Sequence, residues 1–159
     1  DEKEIIWIGA HRMGSVLLKK LLKVKKKLLV IDYDPEVIKD LINNKISCIY
    51  GDIVSPEVLV SVNSKKLKKV ISTVPTYDDN LHLLKTIKEI NPDVTVIVTA
   101  QRISEANSLY NHGADYVITP KISAGHEVTS LIGSSKSSIK EAKNNHIKKL
   151  KDIHKLLYK

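Results

Sequence analysis

Short apolar segments recur along the chain, and they lack the polar alternation of a half-exposed strand. The first is the run Ile-Ile-Trp-Ile at residues 5–8. Strands with apolar side chains on both faces are typical of parallel sheets that are covered on both sides. The pattern predicts buried strands at residues 5–8, 28–32, 46–50, 70–74, 94–99 and 115–118.

Segments with helical signals separate these strands, at residues 14–22, 35–42, 55–62, 78–90 and 103–112. Asp34 is the expected N-cap of the second helix, with Pro35 at its first position, and Gly113 is the expected left-handed residue after the last. Because strands and helices alternate strictly, we expect an α/β fold. It would be a Rossmann-like, doubly wound parallel sheet of six strands with right-handed crossovers.

The segment 134–159 differs in character from the rest of the chain. Apolar residues recur in it at helical spacing between lysines, namely Ile139, Ile147, Leu150, Ile153, Leu156 and Leu157. This pattern predicts an additional C-terminal amphipathic helix whose apolar side no later segment covers. We therefore expect a Rossmann-type domain at residues 1–133 and a helix at 134–159 that forms a homodimer. The expected interface residues are Ile147, Leu150, Ile153 and Leu157.

The chain is basic, with 26 Lys and Arg residues against 18 Asp and Glu in 159 residues, a formal net charge of +8. Its lysines cluster at residues 19–27, 65–69 and 136–159. No aromatic residue is interleaved with these runs as a stacking platform, so we expect no nucleic-acid binding. A solvated surface or proximity to an anionic membrane is expected instead. The single cysteine, Cys48, excludes an internal disulfide and is expected to be buried in a strand.

Residues 9–14 follow the first predicted strand and read Gly-Ala-His-Arg-Met-Gly. A tight turn at Gly9, followed by a helix from Gly14, would direct free backbone N–H groups and the positive end of the helix dipole at a phosphate. About twenty residues later the second predicted strand ends in an acid, Asp32. These features match the Rossmann dinucleotide fingerprint, except that His11 replaces its middle glycine.

Ligands of such sheets bind beyond the carboxyl ends of the strands, where the strand order reverses. There Asp32 would accept hydrogen bonds from ribose hydroxyls and repel a 2′-phosphate, which favours NAD over NADP. Arg12 would contact a phosphate and Asp52 the adenine amine. The side chain of His11 favours a mononucleotide, unless its imidazole itself donates to a phosphate. The candidate cofactor-binding residues are Gly9, His11, Arg12, Met13, Gly14, Asp32, Asp52, Thr73 and Pro75.

Neither a catalytic group nor a metal site is predicted. Ser72, Ser104 and Ser123 have no histidine nearby in the sequence, and the six histidines lack metal-ligand spacing. His126, expected in a loop after the last strand, has no acidic or cysteine partner that would make it a base.

Four segments resemble a single family. They are Gly9-Ala-His-Arg-Met-Gly14, Val30-Ile-Asp-Tyr-Asp34, Tyr50-Gly-Asp52 and Gly113-Ala-Asp-Tyr-Val-Ile-Thr-Pro120. They are similar to the nucleotide-binding N-terminal lobe of regulator-of-potassium-conductance domains of the Trk-N type. Three further segments resemble the cytosolic tails of Kef-type monovalent cation:proton antiporters: Ile71-Ser-Thr-Val-Pro75, Asp79-Asn-Leu81 and Ile97-Val-Thr-Ala100. The resemblance covers about residues 4–133.

The resemblance implies a regulatory domain rather than an enzyme. Such a domain binds NAD(H), AMP, ADP or ATP and controls a potassium or cation:proton transport protein. It also implies dimerisation through the Rossmann lobe and a crossover helix, and a membrane transport domain in the same or an associated chain. The expected location is the cytoplasmic face of the membrane. Two alternatives stay open: the coenzyme-binding part of an NAD-dependent oxidoreductase, and the sensor lobe of a soluble effector protein.

Overall fold

The computed structural model describes residues 3–10, 24–51 and 66–157, with side chains described as far as residue 152. The strands in these ranges are β1 (Ile5–Ile8), β2 (Leu28–Asp32), β3 (Ser47–Tyr50), β4 (Lys69–Ser72), β5 (Thr95–Thr99) and β6 (Tyr116–Ile118). The helices are α1 (Pro35–Asn43), α2 (Tyr77–Ile90), α3 (Ile103–Asn111), α4 (Pro120–Ile132) and α5 (Lys136–Leu157). The helices predicted at residues 14–22 and 55–62 lie outside the described residues.

The six strands form one parallel sheet in the order β3-β2-β1-β4-β5-β6. In the middle of the sheet, Ile5 of β1 pairs with Leu28 of β2 on one side and with Lys69 of β4 on the other. The strand order therefore reverses between β1 and β4, the position where open α/β sheets form a ligand crevice. The predicted Rossmann-like sheet of six parallel strands is confirmed.

Apolar side chains cover both faces of this sheet. Ile6 and Ile8 of β1 belong to a cluster that includes Leu83 of α2. Trp7, between them in sequence, belongs to a second cluster with Leu41 of α1. Successive side chains of a strand point to opposite faces, so β1 contributes to two separate cores. This explains why its sequence has no polar position.

Local signals determine where the helices begin and end. The Asp34 carboxylate accepts a hydrogen bond from the N–H of Glu36 at 2.9 Å, and Pro35 is the first residue of α1, as predicted. After the last residue of α3, Gly113 has a φ of +95°, which confirms the predicted left-handed position. Both features are independent of tertiary packing, and this is why the sequence alone can indicate them.

Charged side chains join the strands at their amino ends. The two carboxylate oxygens of Glu4, just before β1, each lie 2.9 Å from a lysine Nζ, one from Lys27 and one from Lys68. The hydrogen bonds from Lys68 and Lys27 lower the pKa of Glu4 below its usual value. Part of the lysine clustering in the sequence is thus explained by ion pairs within the fold.

A further ion pair joins Lys88 of α2 to Asp115, the residue before β6. Asp115 Oδ2 accepts hydrogen bonds from the N–H of Val96 at 2.7 Å and from Lys88 Nζ at 2.9 Å. Burial raises the pKa of Asp115, but the hydrogen bonds from Val96 and Lys88 lower it by more. The pKa therefore lies below its usual value.

Three predictions need correction. β4 ends at Ser72 rather than at residue 74, so Thr73 and Val74 belong to the following loop. The loop expected around His126 is wrong, because that residue lies in α4, which a proline opens at the first position. Cys48 is only partly buried, because β3 is an edge strand of the sheet.

No described side chain of α4 or α5 is buried. Their exposed apolar residues are Val128, Leu131, Ile132, Ile139, Ile147 and Leu150, of which Ile132 is 81% exposed. The predicted C-terminal helix is present, while the domain boundary and the dimer interface stay predictions. Ile153 and Leu157 lie beyond the last described side chain. In the described ranges, no helix combines the length and the apolar character that crossing a bilayer requires.

Candidate functional site

The candidate site lies at the carboxyl ends of the central strands. Gly9 follows β1, Asp32 ends β2, and Thr73 and Pro75 lie in the loop after β4. Parallel strands end at the same edge of a sheet, so these four predicted residues come together beside the point where the strand order reverses. The remaining predicted site residues, His11, Arg12, Met13, Gly14 and Asp52, lie outside the described part of the chain.

Gly9 makes a turn that no other residue fits. Its φ is +77°, and its N–H donates to the C=O of Ile31 at 3.0 Å, which ties the turn to β2. A Cβ placed on Gly9 would lie 2.9 Å from Val74 Cγ2 and 3.3 Å from the Val74 backbone nitrogen. Glycine is required here both for its backbone conformation and because the loop after β4 packs directly against it.

Asp32 presents a carboxylate at the end of the neighbouring strand. The residue is 2% exposed, and its Oδ1 accepts a hydrogen bond from the N–H of Asp34 at 2.9 Å. Its C=O accepts from the N–H of Gly51 at 3.0 Å, just after β3. The turn into α1 thus orients the carboxylate, and a fixed carboxylate beside a glycine turn is suited to accept hydrogen bonds from the vicinal hydroxyls of a ribose.

Thr73 has a structural role that the sequence does not indicate. Its hydroxyl lies 2.6 Å from the C=O of Gly9 and 3.1 Å from the C=O of Ile8, and it accepts a hydrogen bond from Trp7 Nε1 at 3.1 Å. Its N–H also donates to Ile8 at 3.0 Å. Because the hydroxyl proton is used within the protein, Thr73 can offer a ligand only an acceptor lone pair. Its hydrogen bonds hold the glycine turn in place.

Asn80 is a buried polar residue beside these loops that the sequence did not single out as part of the site. Its Nδ2 donates to the C=O of Val74 at 2.8 Å and to the C=O of Thr99 at 2.8 Å. The pattern of residues 78–90 predicts an apolar side formed by Leu81, Leu84, Ile87 and Ile90, whereas the buried residues of α2 are Asn80, Leu83, Leu84 and Ile87. A sequence signal existed, because these four positions have the i, i+3, i+4, i+7 spacing of a single helix face.

Among the described residues, no three His, Cys, Asp or Glu side chains come together in a way that could hold a metal ion. The described part of the site presents the Asp32 carboxylate and an acceptor lone pair of the Thr73 hydroxyl. Oxygen acceptors of this kind are suited to hydroxyl groups of a ligand.

Comparison with known proteins identifies the family. The model of the TrkA-N domain matches residues 5–120. The chain belongs to the TrkA-N family. The matched segment begins at β1 and includes the glycine turn, Asp32 and the loop after β4, so the whole described site lies within the TrkA-N domain. The resemblance noted in the sequence is confirmed.

The curated relatives of this TrkA-N domain are longer proteins. Potassium channel protein 1 of Methanocaldococcus jannaschii is 26% identical over 125 residues, which cover 77% of this chain and 38% of the channel protein. The glutathione-regulated potassium-efflux system protein KefC of Escherichia coli O139:H28 is 26% identical over 115 residues, or 72% of this chain and 18% of KefC. The chain thus spans well under half the length of either relative.

Solved structures share the fold. The TrkA-N domain of the inner membrane protein ybaL from Escherichia coli has a TM-score of 0.73 and 21% identity, covering 82% of this chain and 97% of that one. The Shewanella denitrificans Kef CTD in its AMP-bound form has a TM-score of 0.64 and 18% identity, with coverages of 96% and 94%. The GsuK channel bound to NAD has a TM-score of 0.62 and 18% identity, with coverages of 74% and 21%. GsuK has also been solved bound to ADP.

Proposed function

We propose that this chain is a regulatory domain that binds an adenine nucleotide and controls a potassium channel or a Kef-type cation:proton antiporter. The observation that carries the proposal is the pairing of the Gly9 turn with the Asp32 carboxylate at the switch point of a TrkA-N sheet. The AMP-bound Kef domain and the NAD-bound and ADP-bound forms of GsuK support an adenine nucleotide as the ligand.

The proposed ligands are NAD(H) and the mononucleotides AMP, ADP and ATP. Asp32 would accept hydrogen bonds from the adenosine ribose, and the segment after Gly9 would contact the phosphate through His11, Arg12, Met13 and Gly14. Asp52 would contact the adenine, and Pro75 would form a wall beside the sugar. A 2′-phosphate would meet the Asp32 carboxylate, so NADP should bind much more weakly than NAD.

The proposed role is ligand sensing rather than catalysis. A channel protein and an efflux protein among the relatives support a part of a transport system as the setting, at the cytoplasmic face of a membrane. The partners would be a membrane transport domain and a second copy of this chain, with the exposed apolar residues of α4 and α5 at the contact. A hydride-transfer screen with NAD(H) and the isolated chain tests the alternative of a dehydrogenase fragment.

Asp32→Asn tests the proposed site. The amide oxygen keeps an acceptor for the N–H of Asp34, while the charge that would bind the ribose hydroxyls is lost. Charge-assisted hydrogen bonds contribute about 1.5–3 kcal/mol each, so affinity should fall by about one to two orders of magnitude. In the wild type, ligand at about a hundred times its Kd should stabilise the fold by about 2.7 kcal/mol, which raises Tm by about 5–10 °C.

Asp34→Asn is the matched control, because it removes the same charge two residues away and asparagine caps helices as well as aspartate does. Its titration with AMP and NAD(H) should match that of the wild type. A wild-type chain whose Tm no adenine nucleotide raises, or an Asp32→Asn variant with wild-type affinity, would contradict the proposed site.

A further inference from the structure

Asn80 is fully buried, and no proposed contact with a ligand uses it. It lies in the first turn of α2, on the face that this helix buries. Its Oδ1 has no hydrogen-bond partner among the described residues, whereas its Nδ2 donates two hydrogen bonds of 2.8 Å. Leucine has a similar branched shape and would remove the unpaired Oδ1, but it would supply no donor to the C=O groups of Val74 and Thr99. Asparagine is therefore explained by its two donated hydrogen bonds and not by its shape.

The two acceptors of these hydrogen bonds belong to different parts of the carboxyl edge. Thr99 is the last residue of β5, whereas Val74 lies in the irregular loop after β4. Among the described residues, the N–H of Val74 makes only a long contact of 3.4 Å, with Ser72 Oγ. Pro75 restricts Val74 to extended backbone but does not fix its position relative to β5. The Asn80 amide thus attaches this loop to a regular strand.

Val74 in turn limits the space at the glycine turn. A Cβ on Gly9 would come within 2.9 Å of Val74 Cγ2, so the loop and the turn are as close as glycine allows. The hydroxyl of the neighbouring residue Thr73 lies 2.6 Å from the C=O of Gly9. A displacement of the loop would therefore act directly on Gly9.

We propose that Asn80 is a positioning residue for the nucleotide site: by holding Val74 to Thr99, it fixes the loop after β4 against the Gly9 turn. Within the described residues, the hydrogen bonds of the Asn80 side chain reach Val74 and Thr99 rather than Gly9 or Asp32, so its effect on binding is indirect. The consequence for the ligand rests on the proposed function, whereas the positioning of the loop is a property of the nucleotide-free chain.

Asn80→Leu keeps the shape of the side chain and removes both donors. Thr99→Val is its matched control, because it also removes a buried hydrogen bond at the same edge, from Thr99 Oγ1 to the C=O of Ser72 at 2.9 Å, and leaves the loop attached. Amide hydrogen exchange in the full chain without nucleotide reports on the N–H groups of Gly9 and Thr73. We expect both to exchange at least about tenfold faster in Asn80→Leu, and to change by less than about twofold in Thr99→Val.

Calorimetric titration with AMP and with NAD(H) forms the second arm. We expect Kd to rise about tenfold or more in Asn80→Leu, the equivalent of one or two lost hydrogen bonds, and to stay within about twofold in Thr99→Val. Asn80→Ala, which removes the donors without adding apolar bulk, provides the same test if the leucine variant does not fold.

Unchanged exchange at Gly9 and Thr73 in the Asn80 variants would overturn the proposal, and so would equal effects of the Asn80 and Thr99 substitutions. Faster exchange with unchanged affinity would overturn the link from the loop to the ligand. If the wild-type chain binds neither nucleotide, the proposed function fails instead, and the exchange arm still decides whether Asn80 holds the loop.

Discussion

The close approach of Val74 to Gly9 can be tested by placing a methyl group between them. Gly9 and Gly113 both have left-handed backbone, with φ of +77° and +95°. An added Cβ would lie 2.9 Å from Val74 Cγ2 at Gly9, but would meet nothing within 4 Å at Gly113. Gly9→Ala and Gly113→Ala therefore share the backbone strain, and only the first adds a steric overlap.

The expected magnitudes follow from these two contributions. Left-handed backbone costs a residue with a Cβ about 1–2 kcal/mol, so Gly113→Ala should lower the free energy of unfolding by that amount. Adding a carbon to a packed site costs a further amount of about 1–3 kcal/mol. The free energy of unfolding of Gly9→Ala should therefore fall by about 2–5 kcal/mol. At this chain length each kcal/mol corresponds to about 2–4 °C in Tm, so the two variants are separable by thermal unfolding.

Urea denaturation provides the measurement. The only tryptophan, Trp7, is buried in β1 two residues before Gly9, so its fluorescence should report on unfolding. Equal m values for the two variants would show that the comparison concerns stability alone. If Gly9→Ala is no more destabilising than Gly113→Ala, Val74 does not close on the turn, and the geometric basis of the Asn80 proposal is lost with it.

Two further predictions concern charge and assembly. The pKa of Asp115 is lowered in the fold, so its stabilising effect is complete above the unfolded pKa of about 3.9 and is lost as pH falls through the folded pKa. Between pH 5 and pH 3 the free energy of unfolding, measured with urea, should therefore fall less for Asp115→Asn than for the wild type. The difference should be under about 1 kcal/mol, because the ion pair with Lys88 is partly exposed. The second prediction concerns assembly: the wild-type chain should sediment as a dimer at micromolar concentration. Because Leu150 is apolar and 50% exposed, Leu150→Glu should sediment as a monomer. The neighbouring substitution Lys151→Glu is the control and should leave the dimer intact. A monomeric wild type, or a dimeric Leu150→Glu, would contradict that interface.

The fold was largely predictable because its signals are local. A run such as residues 5–8, with no polar position, predicts a strand covered on both faces, and the observed strand has that burial. The Asp34 cap and the left-handed Gly113 mark the ends of helices through backbone chemistry alone. With strands and helices in strict alternation, the rule of right-handed crossovers then leaves few possible sheets.

Where strand pairing stops was not predictable from hydrophobicity. The apolar run of β4 continues to Val74, but the strand ends at Ser72 because the next residues turn to contact the glycine loop.

The helix α4 was missed for a different reason. Its sequence contains Gly125 and several hydroxyl residues and has no buried side chain, so it lacks the apolar stripe by which helices are recognised.

For the site, the sequence indicates which residues stand at strand ends but not how their hydrogen bonds are used. Thr73 was expected to line the site, yet its hydroxyl bonds to backbone carbonyls of β1 and the turn. The role of Asn80 depends on its hydrogen bonds to backbone C=O groups of Val74 and Thr99, and the sequence pattern indicates neither of them. Contacts of this kind become visible only when the three-dimensional arrangement is known.

The attachment of α4 and α5 to the outermost strand has a mechanical consequence. β6 is an edge strand, and the two helices that follow it bury no described side chain. α5 has 22 residues, so at about 1.5 Å per residue it is a lever about 33 Å long. A rotation of about 5° at the short connection between the helices, residues 133–135, would move its far end by about 3 Å at that length. A small change of angle at this connection would thus be enlarged into a displacement at the far end of α5.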